Sequence, residues 1–217
     1  MQAPRRAYSR ARLAPLLFAP LLVALSPVDE AALDPSEVRE VDAIECRLDA
    51  PSYQRFAMAL EGEEDLARKR GWKKVASANP LLLEYDLPAP IVVAGDYRTR
   101  RIGFSGSGIL AILDLADPAV VANRERIANA ADIEPMIDAL VAEGRVTRAE
   151  AERSFRFRKF LGERVVADVT EPAKDGETFG SHTVVARSIS NATTHPGKTF
   201  YGCSYRIEIL DADGTPL

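Results

Sequence analysis

Residues 81–113, LLLEYDLPAPIVVAGDYRTRRIGFSGSGILAIL, decide the fold. Residues 81–87, 91–93, 98–104 and 109–113 are apolar or β-branched runs of strand length, broken by Pro88, Pro90 and a glycine-serine corner at 103–108. Connections this short favour antiparallel pairing, because parallel neighbours need a crossover of about a dozen residues. Prolines at the ends of the runs place them at edges or turns.

Working outward, residues 41–49 predict a first strand. Pro51 then opens a helix with Tyr53, Phe56, Ala57 and Leu60 on one apolar stripe, ended by Gly62. A short charged helical turn over 63–70 stops at Gly71. On the other side, Asp117-Pro118 reads as a helix start, with proline at the first helical position. A second helix runs from Asp132 through Met136, Ile137, Leu140 and Val141 to Gly144. Thr147 and Glu150 match a capping box, and the helix they open is expected to continue to about Leu161. Residues 165–169, 183–189 and 200–210 are rich in β-branched and aromatic residues, with Asp175-Gly176 and Asp213-Gly214 as turns. The order of elements predicts an α+β fold: a mainly antiparallel sheet with helices packed on one face.

Cys46 and Cys203 are the only cysteines, each in a strand-like stretch, and neither belongs to a Cys-x-x-Cys pair. In an oxidising compartment they most simply join each other. That expectation makes the first and last strands neighbours.

The amino-terminal segment argues for such a compartment. Arg5, Arg6, Arg10 and Arg12 precede an uncharged apolar run over 13–25, the pattern of an export signal. The run is too short for a membrane-spanning helix, and Pro15 and Pro20 interrupt it. The expected organisation is a signal peptide over 1–27, an acidic linker over 28–40 and a single α+β domain over 41–217, in a periplasmic or secreted protein without a permanent membrane span. The chain has 217 residues and a formal charge of −4; taking away the four leader arginines (−4 less +4) leaves −8 on the rest. A body that acidic is a poor binder of nucleic acid, whose affinity comes from cationic neutralisation of phosphates.

The motifs that could carry chemistry fail on context. Gly197-Lys198-Thr199 resembles the end of a phosphate loop, but Ala192 stands where the first glycine belongs and a strand follows. The glycines at 103, 106 and 108 match neither a nucleophile elbow around Ser105 or Ser107 nor a dinucleotide loop. His182 and His195 are the only histidines, too few and too isolated for a zinc site. No cofactor or metal is expected.

What remains is charge. Arg98, Arg100 and Arg101, together with His195 and Lys198, are the candidate surface for an anion or an acidic partner. A second basic group is formed by Arg153, Arg156, Arg158 and Lys159. The expected function is an exported, non-enzymatic binding or accessory module for a protein or cell-envelope component. Its alternatives are an envelope hydrolase using His195 with a serine such as Ser105 or Ser107, and a structural part of an envelope assembly.

Overall fold

The computed structural model describes residues 33–127, 131–154, 160–174 and 176–217. The expected leader, and Arg156, Arg158 and Lys159 of the second basic group, lie outside them. So does Asp175 of one expected turn, and the side chain of Arg153 is likewise not described.

The long apolar runs form an antiparallel sheet, as their spacing requires. Its strands are β1 (Lys73–Val75), β2 (Leu83–Val93), β3 (Tyr97–Ser105), β4 (Gly108–Leu113), β5 (Ala131–Asp132), β6 (Phe160–Glu171), β7 (Gly180–Ser190) and β8 (Thr199–Leu210). They lie in the order β1-β2-β3-β4-β8-β7-β6-β5. Two consecutive meanders are therefore joined by β8, which pairs with β4 over Thr199 to Ser204 and with β7 over Phe200 to Leu210. Residues 83–93 make one strand, β2, where two, over 81–87 and 91–93, were expected. Pro88 and Pro90 fall in the gap between Asp86 and Ile91, where the β2–β3 register shifts and no ladder bond is asked of proline nitrogen.

The expected adjacency of first and last strands does not hold: β1 lies at one edge and β8 in the interior of the sheet. The reason is local. Residues expected as a first strand form the helix α1 (Glu40–Ile44), which buries Ala43 and Ile44 and starts with Glu40 and Asp42, acids that suit a helix amino-terminus. Cys46 follows it in the left-handed region at φ 55°. The Cys46 amide donates to Ala43 O at 3.2 Å and the Arg47 amide to Asp42 O at 2.9 Å. This is a Schellman end, with cysteine in the position usually given to glycine. The cysteines are nevertheless bonded to each other, Cα atoms 5.3 Å apart, joining the end of a helix to the middle of β8.

The helix α2 (Ala50–Met58) follows, with Asp49 as its cap accepting from the Ser52 amide at 2.6 Å. With α1 it packs on one face of the sheet, against β8 above all. Tyr53 of α2 stacks on Tyr205 of β8 with centroids 4.1 Å apart, and the Tyr205 hydroxyl donates to Ala43 O at 2.6 Å. Phe56, Trp72, Tyr85 and Phe104 complete an aromatic cluster on the same face. The remaining helices are α3 (Leu66–Lys69), α4 (Ala119–Arg124), α5 (Glu134–Ala142) and α6 (Arg148–Ser154). The helix expected to reach Leu161 gives way earlier, because Phe160 and Leu161 already pair with β5 and β7. In the segment before α1, Val38 is buried and Arg70 Nη2 donates to the carbonyls of Pro35, Ser36 and Val38, so residues 35–38 are tied to the body.

A buried polar knot crosses this core. Arg187 of β7 is 4% exposed; its Nη2 donates to Glu45 Oε2 at 2.9 Å and its Nη1 to the carbonyls of Ile44 and Gly202. The Tyr201 hydroxyl donates to the same Glu45 oxygen at 2.8 Å, and the Arg187 guanidinium stacks 4.3 Å from the Tyr201 ring centroid. Burial of the phenol, with Glu45 and Glu125 beside it, pushes the Tyr201 pKa far up, so the hydroxyl stays a donor.

Candidate anion-binding cleft

The basic residues singled out in the sequence come from two distant segments. Arg98, Arg100 and Arg101 belong to β3, while His195 and Lys198 belong to the β7–β8 loop. That loop makes two consecutive turns, His195 N donating to Ala192 O and Lys198 N to His195 O. Thr199 then locks the entry to β8 by donating its hydroxyl to Leu115 O at 2.7 Å. The result is a cleft of about 450 Å3 lined by all five residues together with Asp86, Thr99, Asp114 and others.

The organiser of the cleft is Glu84, which the sequence reading passed over. It sits on β2 and is 1% exposed. One oxygen accepts from His195 Nε2 at 2.9 Å and from the Ser77 hydroxyl; the other accepts from Arg101 Nη1 at 3.2 Å. A buried carboxylate is tolerated only when so provided with partners. Arg101 turns its other edge to Asp86, donating from Nε at 2.7 Å and Nη2 at 3.3 Å, and this hydrogen bonding raises its pKa further. The signal in the sequence was a single acid inside the apolar run 81–85.

The five residues are not equivalent. Arg101 is committed to Glu84 and Asp86, Lys198 is paired with Asp114, and His195 is held at Nε2 by Glu84 with Thr194 Oγ1 3.0 Å from Nδ1. Arg98 and Arg100 are exposed, line the cleft and form no ion pair among the described residues. Both therefore offer full guanidinium forks to a ligand.

Ser105 and Ser107 lie elsewhere. Ser105 donates to Gly108 O at 3.3 Å, and both serines line a different groove. The His195 ring contacts neither; its nitrogens face Glu84 and Thr194. The Gly197-Lys198-Thr199 segment enters β8 directly, without a helix amino-terminus to receive a phosphate. His182 lies on β7 between Asp168 and Glu208. Among the described residues no group of three or more histidines, cysteines or acids is placed to hold a metal ion, and no helix is long and apolar enough to cross a membrane. Compared with family models, curated proteins and solved structures, the chain finds no match.

Proposed function

We propose that this chain is an exported, non-enzymatic binding module whose β3 cleft takes an acidic group of an envelope component or partner protein. The observation that carries the reading is the lining of one cleft by five basic residues from two segments, with Arg98 and Arg100 in no ion pair among the described residues. The export half is supported by the arginine-fronted apolar leader and by the joined cysteines, since disulfides persist in oxidising compartments.

Calorimetric titration with hexaglutamate as an acidic probe tests the cleft. The double variant Arg98→Ala/Arg100→Ala is expected to bind about tenfold more weakly or worse, since a hydrogen bond to a charged group contributes about 1.5–3 kcal/mol. The salt dependence of binding should flatten in parallel, because fewer charges are neutralised. Equal affinities in the two proteins would remove the cleft from consideration. Mass spectrometry of the chain recovered from an envelope fraction tests export: an amino-terminus past the apolar run and a mass two hydrogens below the reduced form are expected. A full-length cytosolic chain with two titratable thiols would refute it.

A further inference from the structure

A second groove, of about 210 Å3, opens on the face of the sheet opposite α1 and α2. The strand register sets Glu84, Gly103, Leu110, Gly202, Ser188 and Glu163 in one row across this face, from β2 to β6. At its centre the floor is bare backbone. A Cβ on Gly202 would stand 2.1 Å from Ile109 O, so no side chain fits there.

The walls hold polar groups with unused capacity. Ser190 is 4% exposed and lines the groove, yet its hydroxyl makes no hydrogen bond among the described residues. Asn79 is 6% exposed; its Oδ1 accepts from the Leu81 amide at 3.0 Å, while its amide nitrogen has no acceptor among the described residues. Ser188, half-buried, adds a further hydroxyl without a partner among the described residues. Ser190 and Asn79 are nearly buried residues whose Oγ and Nδ2 stay accessible from the groove, and Ser188 is half-buried beside them, so all three can bond a ligand that enters it.

The chemistry of that ligand follows from the groups. Two hydroxyls that donate and accept, beside an amide that donates, complement a ligand carrying hydroxyls of its own. An extended peptide would need a free strand edge for its main chain, and the backbone of the floor is spent in the β4–β8–β7 ladders. Phe200 lines this groove and meets His195 edge-on at 5.1 Å, and His195 lines the basic cleft. One aromatic contact thus separates the two sites.

We infer that the ligand is an acidic oligosaccharide, with an anionic group on Arg98 and Arg100 and a sugar ring further along the same chain in the groove of Ser188, Ser190 and Asn79. The inference rests on the anion-cleft reading and narrows its ligand to a class.

Trigalacturonate and hexaglutamate, titrated calorimetrically into the full chain, separate the two. Ser190→Ala should weaken trigalacturonate binding about tenfold and leave hexaglutamate unchanged, as expected for one lost hydrogen bond in a desolvated site. Ser188→Ala, at a more exposed position, should act in the same direction, with melting temperatures confirming that both variants fold. Arg98→Ala/Arg100→Ala should weaken both probes. If neither serine variant alters trigalacturonate binding, or if both probes lose equally, the saccharide assignment is wrong while the anion cleft stands. If wild-type protein binds neither probe, both readings fall.

Discussion

At the scale of single residues, the two least exposed ionic side chains show how charge is used here. Arg187 is held by Glu45, two carbonyls and the Tyr201 ring, and its Nε lies 3.8 Å from Glu125 Oε2 without a hydrogen bond. Removing it leaves Glu45 and Glu125 with a negative charge facing a low-dielectric core. Arg187→Ala is expected to cost about 3–5 kcal/mol in urea unfolding, and adding Glu45→Gln should restore part of the loss. A loss under 1 kcal/mol would mean that water repairs the gap. Neither Arg187 nor Glu84 stands out in the sequence, because each looks like a surface charge in a strand. Their partners lie 142 and 111 residues away, at Glu45 and His195. Arg98 and Arg100, exposed and in no ion pair among the described residues, keep the character that their residue type implies.

Elements were read best where local chemistry closes on itself. The proline-opened helix α2 and the Thr147–Glu150 box of α6 are both present, the latter with Thr147 N donating to Glu150 Oε2 at 2.8 Å and Glu150 N to Thr147 Oγ1 at 3.2 Å. The strand expected over 41–49 was misread because so short a stretch shows too little period to separate helix from strand, and 41–44 belong to α1. What makes them helical is packing of Ala43 and Ile44 on the sheet. Between strands, His182 ties β6, β7 and β8, with Nε2 2.9 Å from Asp168 and Nδ1 3.2 Å from Glu208. The Asp168 bond first, and the Glu208 bond next, raise its pKa above 6.5. A raised folded-state value means that the stabilisation is complete below the unfolded pKa near 6.5 and is lost as pH rises through the folded value. Wild-type protein should therefore melt above His182→Gln at pH 5.5, and the gap should close by pH 9. A constant gap across that range would assign it to packing. The group is solvent-exposed, so the difference should also shrink in high salt.

For the molecule as a whole, the disulfide spans 157 residues of sequence and fastens the helical layer to the sheet. Closing so long a loop restricts the unfolded chain by up to about 5 kcal/mol in the chain-entropy picture. Reduction, or Cys46→Ala with Cys203→Ala, should lower the urea midpoint without changing the sheet signal in circular dichroism. An unchanged midpoint would mean the reduced chain is already restrained. That the two sulfurs meet was readable from there being only two cysteines and from the compartment the leader led one to expect. How they meet was not, since a helix end above a strand satisfies the same distance as two neighbouring strands. The position of β8 has a consequence for the order of events at the ribosome. Translation delivers this segment after every other strand, yet it is the seam between the two halves of the sheet. A nascent chain stalled before Thr199 leaves β4 and β7 with open flanks and no way to bridge them. Closure of the sheet is thus postponed until Thr199–Leu210 has been made.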